Sequence, residues 1–135
     1  MPANTSPIFP LVVQTSAVNI VNADGTNEKT LVTAGSNGTR VDVVVMSTTE
    51  VVGNFISVIL NDGATSYVVG WLPVQSGAGT DNLNNAIKVL NLAYLPWLDA
   101  SGSLFLKSGW TLKIAAKTAV AAGKTLSLVA FSGDY

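Results

Sequence analysis

The 135-residue chain contains no cysteine and no histidine. Without cysteine there is no disulfide framework, no thiolate metal site and no thiol nucleophile. Without histidine the commonest general base, metal ligand and triad member is missing. Charge is scarce as well: Asp, Glu, Lys and Arg make up 11% of residues, against about 25% in ordinary soluble domains. The net charge is -1, and the charges are scattered singly. No basic stripe offers itself to a phosphate backbone and no polybasic run to an anionic membrane surface. Neither nucleic acid nor membrane is therefore expected as a partner. Long apolar runs are also lacking. Residues 43–46 and 67–74 fall far short of the roughly 20 residues of a membrane-spanning helix. No Lys or Arg precedes an apolar run at the N-terminus, so a signal peptide is not expected. Asn4-Thr5-Ser6 and Asn37-Gly38-Thr39 match the glycosylation pattern and are read as chance.

Catalytic signatures are missing too. There is no Gly-x-Ser-x-Gly elbow, no phosphate-cradling glycine loop and no calcium loop. Two carboxylates suffice for glycoside hydrolysis, but no pair stands out. Asp24, Asp62 and Asp99 lie in turn-like sequence, where Asp accepts from backbone amides. Asp42 follows Arg40 by two residues and is expected to pair with it. The chain is read as no enzyme, with no cofactor and no metal.

What is abundant is apolar and β-forming. Hydrophobic residues make up 48% of the chain. One domain of this size exposes roughly 6,700 Å² and needs no staple to hold a core. An apolar, weakly charged surface favours self-association. Two interfaces of about 800 Å² each would cover roughly a quarter of it. The plainer alternative is a surface that is polar but uncharged, rich in Ser, Thr and Asn.

Residues 1–10 read as an extended N-terminal arm, because Pro2, Pro7 and Pro10 favour extended backbone and cannot donate ladder bonds. Ile8, Phe9 and Pro10 are candidate partner contacts. They dock on a neighbour or cover the end of their own domain. Residues 11–135 read as short β runs parted by turns. Runs are expected at 11–21, 29–34, 39–47, 55–60, 65–72, 110–117 and 125–131. The Asn37-Gly38 step is a hairpin signal, and 55–60 with 65–72 form a hairpin across Asn61-Asp62-Gly63. In 39–47, alternation puts Val41, Val43 and Val45 on one face and Arg40, Asp42, Val44 and Met46 on the other. Residues 81–86 read as irregular or one helical turn capped by Asp81, followed by a strand at 87–92. About eight strands and no long helix point to an all-β fold, a jelly-roll-like antiparallel sandwich. Several strands are apolar on both faces, whereas a sheet with one wet face should alternate. Of the tryptophans, Trp110 alternates inward and Trp71 lies on an apolar strand as core or interface. Trp97, beside Pro96, is the expected exposed contact residue.

Three stretches carry a resemblance: Thr33-Ala34-Gly35-Ser36-Asn37-Gly38-Thr39-Arg40-Val41, Leu106-Lys107-Ser108-Gly109-Trp110-Thr111-Leu112 and Ala130-Phe131-Ser132-Gly133-Asp134-Tyr135. In that order and near that spacing the chain resembles tailed-bacteriophage structural proteins that include capsid decoration, or cement, proteins. The match runs from about residue 30 to residue 135. It departs in Ser-Gly-Asp-Tyr at the end, where two glycines would precede the acid, and in extra residues at 99–103. The resemblance implies a jelly-roll-like subunit, a small homo-oligomer (dimer or trimer), and the major capsid protein as partner. It implies a place on the outer capsid surface of the virion after synthesis in the host cytoplasm. It supplies no functional residues to carry over. The alternatives are a tail or fibre subunit, and a carbohydrate-binding β-sandwich module using an exposed tryptophan.

Overall fold

A computed structural model describes residues 9–135. Nine strands follow in order: β1 (Val12–Val21), β2 (Lys29–Thr33), β3 (Thr39–Thr48), β4 (Asn54–Asn61), β5 (Ser66–Val74), β6 (Ile87–Lys88), β7 (Leu104–Leu106), β8 (Thr111–Ala116) and β9 (Thr125–Asp134). The sole helical element among the described residues is a 3-10 turn at Asn22–Asp24. The chain is all-β, and its two antiparallel sheets form a β-sandwich. One sheet runs β1-β9-β3, with β6 and β7 both beside β3; the other runs β2-β8-β4-β5.

The pairs are nested: β1 with β9, β2 with β8, β3 with β6 and β7, β4 with β5. That is the pairing of a jelly roll, an antiparallel ribbon rolled until its halves stack. The expected eight strands become nine because one place is shared. β6 pairs with Val45 and Met46, and β7 with Thr39, Arg40 and Val41. Residues 89–103 leave the sheet between them.

The interior is filled by the inward alternates of both sheets. Val44, Met46, Leu126 and Leu128 of one face Ile56, Leu72, Leu112 and Ile114 of the other, all at most 1% exposed. β8 places Leu112, Ile114 and Ala116 in the core, and Ala115 between the last two is buried as well. Trp110 packs half-buried against that core and stacks on Tyr67 at 6.1 Å between ring centroids.

Three local expectations are corrected. The Asn37-Gly38 step does make a tight turn: the Gly38 N–H donates to the Gly35 carbonyl at 3.0 Å, with Gly38 at φ +90°. Its flanking strands do not pair, however. β2 joins β8 and β3 joins β9, so the turn carries the chain from one sheet to the other. Turn chemistry reports reversal of direction and says nothing about which ladder receives the next strand. Second, β3 does not alternate as read. A bulge between Val41 and Val43 breaks its register with β9. Val41 therefore points inward together with Val44 and Met46, while Val43 and Val45 turn outward. Third, residues 81–86 take the irregular alternative and not the helical turn, and the strand after them is shorter than expected. Asp81 Oδ1 accepts from the Leu83 and Asn84 N–H groups at 2.8 and 2.9 Å, which closes a turn, and Leu83 is exposed. The strand expected at 87–92 stops at Lys88. At Asn91 the chain turns out, its carbonyl accepting from the Tyr94 and Leu95 N–H groups.

Turn carboxylates hold several corners. Asp62 Oδ1 accepts from the Thr65 and Ala64 N–H groups at 2.7 and 2.9 Å, closing the β4–β5 hairpin where Gly63 sits at φ +99°. Those bonds favour the charged form and hold the Asp62 carboxyl below its ordinary value of 3.8. The folded state therefore binds this proton less readily than the unfolded chain does. Its contribution to stability is present above the unfolded value and is lost as pH falls through the folded one. Asp62→Asn is expected to lower Tm at pH 7, with the gap to wild type closing as pH falls below 3.8 through the lowered folded value. Calorimetry across pH that finds an undiminished gap in acid rules out charge as its source.

Candidate interaction surfaces

Cross-strand register defines the outer face of the β1-β9-β3 sheet. One row reads Val13, Gly133, Arg40 and Phe105, and the next Thr15, Phe131 and Val43. A third reads Ala17, Val129, Val45 and Lys88. Phe131, Phe105 and Val13 are exposed. Arg40 and Asp42 neutralise one another at 2.8 Å, the pairing their spacing predicts. That leaves Lys88 as the uncompensated charge of these three rows. This outer face is a largely apolar surface on a sandwich whose interior is already filled.

Pro10 packs on this face. A Cβ built on Gly133 would stand 2.5 Å from Pro10 Cβ, so glycine alone lets the chain cross there. The Leu11 N–H donates to the Asp134 carbonyl at 2.7 Å. Of the residues singled out from sequence, Pro10 is thus half-buried over Gly133, Phe9 is 68% exposed, and Ile8 lies outside the described residues.

The three stretches that carry the resemblance meet at this end of the molecule. Thr39 lies between Leu106 on one side and Asp134 on the other. Its hydroxyl donates to Asp134 Oδ1 at 2.5 Å and accepts from the Gly35 N–H at 2.9 Å. The Ala34 N–H donates to the Trp110 carbonyl and the Tyr135 N–H to the Gly38 carbonyl. The terminal Gly-Asp-Tyr is therefore a latch: glycine admits Pro10, aspartate ties Thr39 and the last amide pins the turn.

The outer face of the second sheet carries a smaller apolar patch. Phe55 and Trp71 meet edge to face at 5.5 Å, above a depression of about 220 Å³ that Lys117 completes. Trp97 is 41% exposed, as expected, but Trp71 is more so at 56%, which places Trp71 at the surface and not in the core. Trp97 is half tied down: its indole N–H donates to the Val69 carbonyl at 2.8 Å. Val69 is the extra residue of a bulge in β5, which frees that carbonyl from the ladder.

Other carboxylates are tied into turns and strand ends. Asp24 accepts from the Val21 N–H and pairs with Lys29, and Asp99 accepts from the Ser101 hydroxyl and the Ser103 N–H. In both cases these bonds lower the carboxyl below its ordinary value. Asp81 is lowered by the Asn84 and Leu83 amides. Glu50 is buried, with Oε1 accepting from Asn54 Nδ2 at 3.2 Å and Oε2 from the Ala121 N–H at 3.3 Å. Among the described residues no group of three or more acidic side chains is placed to hold a metal ion. No helix there is long and apolar enough to cross a membrane. Phe131, Phe105 and Val13 were not singled out from sequence. For Val13 and Phe131 the signal was the apolar character of runs 11–21 and 125–131; Phe105, in β7, falls outside every run read from the sequence. No protein-family model matches the chain, and no curated protein matches it.

Proposed function

We propose that this chain is a non-catalytic virion structural protein. It decorates the outer surface of a tailed-phage capsid as a small homo-oligomer bound to major capsid subunits. The observation that carries the reading is the apolar outer face of the β1-β9-β3 sheet, onto which Pro10 is laid at Gly133. A decoration protein needs a stable shell-facing surface and no reactive group. The resemblance rests on three stretches that converge beside that surface, which supports treating them as one structural unit.

The test is attachment. Purified protein added to expanded capsids should co-sediment with them and add density to the shell in electron micrographs, but should leave isolated tails bare. Deletion of residues 1–10 should keep the cooperative unfolding transition and weaken attachment about tenfold or more. Binding to tails in place of shells moves the protein to the tail or fibre reading. Unchanged attachment of the truncated chain removes the arm from the mechanism.

Exposed Trp71 beside Phe55 favours a second reading, a carbohydrate-binding module. The depression is smaller than the roughly 300–1,000 Å³ of ordinary ligand pockets. Glycan-array binding that disappears in Trp71→Ala, with capsid attachment absent, selects it.

A further inference from the structure

β1 is an edge strand, with no described strand on its outer side. Contacts at its far end show which main-chain groups face outward. Val21 stands opposite Thr125, yet the Thr125 N–H and carbonyl are both engaged by Thr49, on the β3 side. The Val21 N–H donates instead to Asp24 Oδ2 at 2.8 Å, and the Asn19 carbonyl accepts from Lys29 Nζ at 2.6 Å. In an antiparallel ladder, residues alternate between bonding the partner and facing away. The β1–β9 register is unbroken, so Val13, Thr15 and Ala17 also turn their N–H and carbonyl groups to the open edge. No turn, loop or side-chain partner among the described residues takes them.

This edge has sharp limits. Lys29 and Asp24 close it beyond Ala17, and Pro10 offers no N–H before it. Between the limits it lacks the usual protections: β1 contains neither charge nor proline. The strand is also bare above and below, with Val12 and Val13 both exposed on opposite faces.

We infer that a second copy of this chain pairs here, β1 against β1 antiparallel, about a two-fold axis beside Thr15. The occupant follows from the symmetry of the free groups. Thr15 meets Thr15 of the second copy in a bonded pair, and Val13 meets Ala17 of the second copy on either side. Asn19, already engaged, falls opposite Leu11 of the second copy, outside the pairing. An uncharged strand meets no like charge in its own copy, and threonine opposite threonine is a favourable cross-strand pair. The contact is isologous and closes at two. It joins the two outer faces into one continuous surface. This deepens the homo-oligomer of the reading above and rests on that reading only for the expectation of self-association.

Sedimentation equilibrium and amide hydrogen exchange on wild type, Thr15→Lys and Thr15→Glu test the pairing. Wild type should be dimeric at about 0.1 mM, with the Val13, Thr15 and Ala17 amides at least about tenfold slower to exchange than in dilute monomer. Each variant should raise the dimer Kd about tenfold or more by setting like charges together at the axis. An equimolar mixture of the two variants should recover the dimer, because in this register position 15 faces itself. A monomer at that concentration, a trimer, free exchange at the three amides, or a mixture that stays dissociated each overturns the inference. Capsid co-sedimentation is scored separately. A β1-paired dimer that never binds capsids sinks the decoration reading and leaves this pairing, whereas capsid binding with freely exchanging β1 amides does the reverse.

Discussion

Leu95→Ala is expected to destabilise the domain by about 3 kcal/mol, lowering Tm by roughly 10 °C. The excursion at residues 89–103 leaves the edge of one sheet and returns to it. On the way it touches β5, the edge of the other sheet. Leu95 is fully buried there. A Cβ on Gly70 of β5 would lie 2.2 Å from Leu95 Cδ2. The absence of a side chain at Gly70 is thus what seats Leu95, and the Trp97 bond to Val69 ties the next turn. Together they close one open side of the sandwich. Removing the isobutyl group leaves a cavity that the surrounding sheets cannot fill without giving up their ladder bonds. Gly70→Val should be at least as damaging, from the opposite direction: it overfills the seat. Chemical denaturation of both variants checks the account. A loss below about 1 kcal/mol in each would mean that the excursion merely lies on the surface.

Phe131→Asp should weaken capsid attachment about thirtyfold or more, equivalent to about 2 kcal/mol, while leaving Tm within a few degrees of wild type. Phe131 lies in the middle strand of its three-strand row, between Thr15 and Val43. Its inward neighbours Ala130 and Ser132 are buried, but its own ring stands outside the core. A carboxylate there costs little in the free subunit, where water solvates it. In a shell contact it is desolvated without a partner. The two effects separate cleanly, because the core alternates of β9 are untouched. Quantitative co-sedimentation beside a thermal melt decides the matter. A variant that melts normally and binds normally would move the shell contact to another surface.

Much of this architecture was legible in the chain. The inward residues of β8, the Asn61-Asp62-Gly63 hairpin and the carboxylates at turns depend on neighbours within a few residues, and there the reading holds. The errors lie where a distant partner overrides local pattern. The bulge at Asp42 exists because β3 must stay in register with β9 on both sides of it, and a single insertion reverses which valines face the core. The Asn37-Gly38 turn looks like a hairpin locally, but β2 and β3 are claimed by β8 and β9. Trp71 is more exposed than Trp97 because its side chain lies on the outer face of β5, while a β5 carbonyl, freed by its own bulge, captures the Trp97 indole.

Composition and periodicity by themselves determined that this chain is an all-β domain without thiol or imidazole chemistry, with more apolar surface than one interior absorbs. Those properties are sums over residues or short-range repeats, so they survive without knowledge of the fold. The tertiary structure alone decided where the surplus goes: to the outer face of β1-β9-β3, to the open half of β1, and to the Phe55–Trp71 patch. Which side of a strand is outside is set by its ladder partners, and in a rolled-up ribbon those partners lie up to the whole length of the chain away.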